Sequence, residues 1–107
     1  MDPQVPEIDV ATLAQRREVP LIDVREAHEY EEAHVPGALL LPMSEIADRV
    51  DELPAGGEVF LICRTGARSM RVAEHLRAQG IEAVNVAGGT MAWVEAGHPT
   101  ATGLEPG

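Results

Sequence analysis

The segment best equipped for chemistry is Cys63-Arg64-Thr65-Gly66-Ala67-Arg68-Ser69. It follows a continuous apolar run, Val59-Phe60-Leu61-Ile62, and leads into a helical pattern that starts near Ser69. Gly66 takes a positive φ without steric cost, as a tight turn requires. A loop that curls into a helix start aims several backbone N–H groups at one atom, and the helix dipole reinforces them. Arg68 can add a forked cationic donor to that cradle. A cysteine sulfur at the focus is favoured as thiolate, so its pKa drops below the free value of about 8.5. An anionic adduct on that sulfur is favoured for the same reason. Burial of the sulfur pushes the other way.

Cys63 is the only cysteine in the chain. A lone cysteine at a strand end reads first as an inert core residue, because free cysteines are often buried and unreactive. Its neighbours argue against that reading. An inert core thiol needs no glycine turn, no helix start and no arginines around it. Charge points the same way. The 107 residues carry a formal net charge of −10, and all eight basic residues are arginine. From Val59 to Ala73 there is no Asp or Glu, yet Arg64, Arg68 and Arg71 fall there. A locally positive segment in a strongly acidic chain is a candidate anion site.

The same acidity argues against general nucleic-acid binding, which needs a basic footprint, and against attraction to an anionic membrane surface. No apolar run of about 18 residues or more is present to span a bilayer. The start, Met1-Asp2-Pro3-Gln4-Val5-Pro6-Glu7, lacks the basic and apolar stretches of a signal peptide. One cysteine forms no internal disulfide, so a reducing cytoplasm is the expected setting. His28, His34, His75 and His98 match no metal-ligand spacing, and Cys63 has no cysteine companion. No metal or cofactor is therefore expected. Length fits a single domain, with hydrophobic residues at 45% and aromatics at only 3%.

The elements that must position Cys63 follow from periodicity and breakers. Asp9 is a candidate N-cap for a helix reaching about Arg17. Leu21 to Val24 reads as a short strand after Pro20. Glu26 to Ala33 is helix-prone and is broken by Pro36-Gly37. Ala38 to Leu41 is a second short apolar run. Ser44 is a candidate N-cap for a helix through Leu53, with Ile46, Ala47, Val50 and Leu53 on one face. Pro54 to Gly57 forms a turn, Val59 to Ile62 a strand buried on both faces, and Ser69 to Gln79 a helix stopped by Gly80. Ile81 to Val86 is a strand, and Gly88-Gly89 leads into a helix through about Ala96. Residues 1–7 read as a loose lead-in and Thr100 to Gly107 as a frayed tail, leaving a core of about residues 8–99.

Short strands alternating with amphipathic helices imply an α/β domain with a mainly parallel sheet covered on both faces. Ligands in such sheets bind beyond the carboxyl ends of the strands. Asp23 to Arg25, Cys63 to Arg68 and Ala87 to Thr90 would then share one edge. Asp23 and Arg25 are expected to brace the Cys63 loop, with Asp23 accepting from loop amides. Trp93 reads as a packing residue, His34 as an organiser of the turn before Pro36, and Glu29, Glu31 and Glu32 as a solvated helix face.

Four segments together resemble the rhodanese-like family. They are Leu21-Ile22-Asp23-Val24-Arg25 with Glu29, His34-Val35-Pro36-Gly37-Ala38, the Cys63 loop, and Val86-Ala87-Gly88-Gly89 with Trp93 and Gly97. They stand in the family's order over roughly residues 8–99, with Ala33 where the family usually has Gly. The resemblance implies a parallel five-stranded sheet flanked by helices. It also implies that Cys63 accepts a sulfane sulfur from thiosulfate or a similar donor, forms a persulfide, and yields the sulfur to cyanide or a protein thiol. Arg64, Thr65, Gly66, Ala67, Arg68 and Ser69 would be the cradle, with Arg68 binding the anionic donor and Arg64 steering it. Cysteine phosphatases, by comparison, space cysteine and arginine more widely than the four residues between Cys63 and Arg68. The shorter loop suits a sulfur atom better than a phosphate ester. The rival of another class is a carrier or regulatory module that holds a persulfide for a partner protein.

Overall fold

The computed structural model describes residues 4–107. Five strands form one sheet: β1 (Glu7–Ile8), β2 (Leu21–Asp23), β3 (Leu39–Leu40), β4 (Glu58–Ile62) and β5 (Glu82–Val86). Four helices connect and cover them: α1 (Val10–Gln15), α2 (Ala27–Glu32), α3 (Ala67–Ala78) and α4 (Gly89–Glu95). The strand order is β1-β5-β4-β2-β3, and every pairing is parallel. The α/β class, the five-stranded sheet and the all-parallel pairing agree with the sequence expectation.

Alternation along β4 divides the core. Val59, Leu61 and Cys63 face one side with Ile22, Val24, Leu41, Ile46 and, from α3, Val72, Ala73 and Leu76. Phe60 and Ile62 face the other with Leu13 of α1, Tyr30 of α2 and Trp93 of α4. Both faces are therefore covered, as side chains of period two on a central strand require. Phe60 supplies one of the few aromatic anchors and is fully buried. Trp93 is buried too and donates its indole N–H to Pro99 O at 2.7 Å. Asp9 caps α1 as expected, its carboxylate accepting from Thr12 N–H at 2.8 Å.

Three expectations need correction. The segment from Ser44 to Leu53 is not an α-helix. Its backbone bonds run from residue i to i−3, as in Asp48 to Glu45 and Arg49 to Ile46, and end in a single 3₁₀ turn at Val50–Glu52. Ser44 does not cap it; its hydroxyl donates to the Glu26 carboxylate at 3.1 Å. Ile46 and Leu53 are still buried and Ala47 is exposed. Tight 3₁₀ turns present only part of the apolar face that 3.6-residue spacing suggests.

The lead-in is not loose where it is described. Glu7 and Ile8 pair with Asn85 and Val86 as an edge strand. Pro6 O also accepts from Asn85 N–H at 2.9 Å. Residues 1–3 lie outside the described residues. Nor is the tail frayed. His34 and Ala101 exchange two backbone bonds of 2.9 Å, Gly37 N–H donates to Pro106 O at 2.8 Å, and Gly103 N–H donates to Glu31 O at 2.8 Å. Buried His34 completes the clasp. Its ring stacks on Tyr30 with centroids 3.6 Å apart, and its Nε2 lies 2.9 Å from Glu105 O and 3.1 Å from Pro106 O. Backbone groups over a partly apolar surface need partners, and the tail finds them on α2 and the following turn.

The clasp leads to an expected outcome. His34→Ala removes a fully packed ring and its contacts to Tyr30 O and Glu105 O. It should lower unfolding free energy by roughly 2–4 kcal/mol, read from urea denaturation midpoints.

Candidate active site

Parallel pairing puts the carboxyl ends of β2, β4 and β5 on one edge. Asp23 is opposite Ile62, and Leu61 is opposite Asn85. Cys63 directly follows β4 at this edge and is only 1% exposed. The chain then turns through Arg64 and Thr65 to Gly66, which has φ +105° and sits at the start of α3. That conformation is open to glycine and strained for any residue with a Cβ.

The turn folds back over the sulfur. Gly66 N–H points at Cys63 Sγ from 3.1 Å, and Ser69 Oγ lies 3.2 Å away. Burial pushes the thiol up. Against it act the Ser69 hydroxyl and the backbone N–H groups of Ser69, Gly66 and Thr65, and together they bring the thiol below its ordinary value. Of these backbone groups, the Gly66 N–H makes the close contact to the sulfur.

The loop is anchored from the β5 side. Thr90, buried at the start of α4, donates its N–H at 2.8 Å and its hydroxyl at 3.1 Å to Cys63 O. Met91 N–H donates to Arg64 O at 3.0 Å. Such close approach explains Gly89. A Cβ there would stand 2.5 Å from Cys63 O and 2.6 Å from Arg64 O, on a backbone already at φ +61°. Gly88-Gly89 is thus the residue pair that lets α4 bind the back of the cysteine loop.

Asn85 was missed in the sequence. It is a buried amide between Val84 and Val86, and that polar interruption was its one available signal. Its Oδ1 accepts from the Ser69 hydroxyl. Its Nδ2 donates to Gly66 O at 3.1 Å and to the Glu7 carboxylate at 2.8 Å. It connects β1, β5 and the cysteine loop.

Asp23 and Arg25 form a buried pair, but not as expected. Arg25 donates from Nε at 3.0 Å and from Nη2 at 2.9 Å, and its backbone N–H also reaches Asp23 at 3.1 Å. Nη2 reaches Ala33 O at 2.7 Å as well. Asp23 therefore accepts from Arg25 rather than from amides of the Cys63 loop, and the pair ties β2 to the end of α2.

Arg68 is engaged as well. It makes a two-pronged pair with Glu29, both contacts 2.8 Å. Glu29 is consequently no part of a solvated face, although Glu31 and Glu32 are exposed. Its carboxylate also accepts from Glu26 N–H at 3.1 Å, which secures the start of α2. Arg64 is exposed, and among the described residues its side chain has no ion-pair partner.

A cleft of about 640 Å³ opens beside the loop, lined by Arg25, Glu29, Arg64, Thr90, Met91 and Val94 among others. Arg64 and Thr90 bring it next to Cys63. Ala67 is exposed on the first turn of α3 and Thr65 on the loop. His28 lines the cleft, His75 is exposed on α3 beside Gln79, and His98 packs against Trp93. Among the described residues, no helix is long and apolar enough to cross a membrane.

A buried cysteine facing backbone N–H groups, at the carboxyl edge of a parallel sheet and just before a helix, defines an α/β domain with a cysteine-centred loop. The chain belongs to the rhodanese-like family: the family model for the Rhodanese-like domain matches residues 9–96. It is 40% identical over 100 residues to a sulfurtransferase of Allochromatium vinosum, covering 89% of this chain and 94% of that one. It is 33% identical over 98 residues to the thiosulfate sulfurtransferase GlpE of Coxiella burnetii, covering 91% of each. A rhodanese-related protein from Thermoplasma volcanium superposes with a TM-score of 0.87 at 30% identity, covering 94% of this chain and 99% of that one.

The Arg68–Glu29 pair has a pH signature. Hydrogen bonds from Arg68 hold the Glu29 carboxyl down at about 2, against an opposing push from burial. In the unfolded chain the same carboxyl titrates near its ordinary value of about 4.5. The pair's contribution is therefore complete above that value and is lost as pH falls toward 2. Arg68 is 38% exposed, so solvent screening limits the contribution to about 1 kcal/mol. Urea midpoints measured from pH 6 to pH 2 should fall less steeply for Glu29→Gln than for the unsubstituted protein.

Proposed function

We propose that this protein is a sulfurtransferase that carries sulfane sulfur on Cys63. The observation that carries the reading is the sulfur's setting: Gly66 N–H and Ser69 Oγ lie 3.1 and 3.2 Å from Sγ, and these and neighbouring amides outweigh burial in favour of thiolate. The names of the relatives support the reaction class.

In the first step the Cys63 thiolate attacks the outer sulfur of thiosulfate. The new S–S bond forms as the old one breaks, and sulfite leaves with the bonding pair. The persulfide that remains is anionic at its outer sulfur. Thr65, Gly66 and Ser69 bring amide N–H groups to the sulfur, which suit that charge. In the second step cyanide or a thiolate attacks the outer sulfur, and Cys63 departs as the thiolate it began as.

The two arginines differ in role. Arg68 is held by Glu29 and secures α2 against the start of α3, while the pair still places a cation near the sulfur. Arg64, exposed at the cleft, is the group that attracts the anionic donor. Asp23 and Arg25 hold the cleft's wall. The small inorganic anion is the donor class, and a thiol on an acceptor protein is the partner class. The acidic surface and the single reduced cysteine fit a cytoplasmic setting without nucleic-acid or membrane binding.

The decisive experiment is intact-mass measurement after incubation with thiosulfate. The expected result is gain of one sulfur atom, reversed by cyanide and lost in Cys63→Ala. No gain, accompanied by hydrolysis of a phosphate ester, would overturn the assignment. Loading without catalytic turnover would instead make the protein a persulfide carrier for a partner. Arg64→Ala should raise the thiosulfate concentration needed for half-maximal rate by roughly threefold to tenfold at low salt, with little change in the maximal rate. An unchanged thiosulfate dependence would remove Arg64 from the donor's path.

A further inference from the structure

Ser69 Oγ lies between two acceptors, Cys63 Sγ at 3.2 Å and Asn85 Oδ1. A serine hydroxyl has one proton, so it donates to only one of them at a time. The orientation of Asn85 is not free. Its other polar atom faces Gly66 O and the Glu7 carboxylate, which accept and cannot donate. Nδ2 must therefore face those two groups, which leaves Oδ1 for Ser69.

Two arrangements of the same atoms follow. With Cys63 as thiol, the S–H donates to Ser69 Oγ and the Ser69 proton goes to Asn85 Oδ1. With Cys63 as thiolate, the Ser69 hydroxyl turns and donates to the sulfur, and Asn85 Oδ1 loses its donor. The buried amide thus favours the protonated sulfur, and Glu7 strengthens the effect by polarising the amide toward Oδ1.

We propose that Asn85 is a positioning residue that competes with the Cys63 sulfur for the single proton of Ser69, and so limits how far the thiolate is favoured. This rests on Cys63 being the sulfur-carrying group. The competition has a use in that chemistry. A thiolate that is too strongly stabilised is a poorer nucleophile. An acceptor that releases the Ser69 proton only as charge develops on sulfur keeps the resting thiol moderate.

The test is the pH profile of Cys63 alkylation by iodoacetamide. It needs no sulfur donor and is therefore separable from sulfur transfer. Asn85→Leu removes the competing acceptor, so the thiol pKa should fall by about one unit, the scale of one hydrogen bond to a charged group. Ser69→Ala should raise it by a similar amount. In the Ser69→Ala background, Asn85→Leu should leave the profile unmoved. A purely structural role, bracing the Gly66 turn, gives the opposite sign: loosened N–H groups would raise the pKa in Asn85→Leu. A rise, or no change, overturns the proposal.

Should Asn85→Leu fail to fold, Glu7→Gln reads the same chain from the exposed edge strand. It should lower the pKa by a smaller amount when Ser69 is present and leave it unchanged when Ser69 is Ala. An equal fall in both backgrounds would mean a through-space charge effect and would also overturn the proposal.

Discussion

A sulfur shielded from water carries charge only where the protein replaces the hydrogen bonds that water would give. Cys63 is in that position, almost wholly buried at the end of the central strand. Thiolate exposed to solvent would need no cradle. Buried thiolate without one would protonate. The amides of Thr65, Gly66 and Ser69, with the Ser69 hydroxyl, meet that requirement, and they do so because the backbone turns sharply at Gly66. The charge state of the Cys63 sulfur therefore depends on loop geometry.

That dependence spreads through the fold. The amides converge on the sulfur only while the loop is fixed, and it is fixed from three sides. Thr90 and Met91 bind its carbonyls from α4, which is possible because Gly89 has no Cβ to collide with Cys63 O. Asn85 Nδ2 donates to Gly66 O from β5. Glu29 reaches Arg68 from α2. The start of α2 is itself shaped by Glu29, so one carboxylate serves both as a capping partner and as an anchor for the far side of the site. Elements distant in sequence are coupled because each supplies a bond to the same few residues.

What the sequence made legible follows physical strength of signal. Strand β4 was visible because four consecutive apolar residues ending at cysteine admit few other structures. Gly66 and Gly88-Gly89 were visible because glycine marks backbone that other residues disfavour. Strand β1 was not, since two residues next to Pro6 carry no periodicity and become a strand only by pairing with β5. The tail at residues 101–106 was hidden for the same reason: its order comes from carbonyls that meet His34 and Gly37, not from its own composition. The segment from Ser44 to Leu53 had the apolar spacing of a helix, but packing against the sheet edge set tighter turns. Pairing was the least legible property. Glu29 reads as one of several surface acids because helix position alone does not disclose that Arg68 stands opposite, and Asp23 reads as a brace for loop amides because spacing alone does not disclose that the Arg25 side chain folds back onto it.

The pairing also reinterprets the charge pattern that first singled out this segment. An acid-free stretch containing arginines suggested free cations waiting for an anion. In the fold, Arg68 is met by Glu29 from another helix, so its charge is largely balanced before any ligand arrives. A balanced pair contributes a weaker, more local field than a free cation, and it contributes it from a fixed position. Fixed dipoles do not have to reorganise when charge appears on sulfur, whereas a mobile arginine does. In the proposed reaction, selectivity for an anion beside Cys63 would therefore rest mainly on rigid N–H groups. Arg64, exposed and without an ion-pair partner among the described residues, would supply attraction at longer range. In a chain with net charge −10, and in a cleft that Glu29, Glu32 and Glu95 also line, that attraction is local rather than a property of the whole surface.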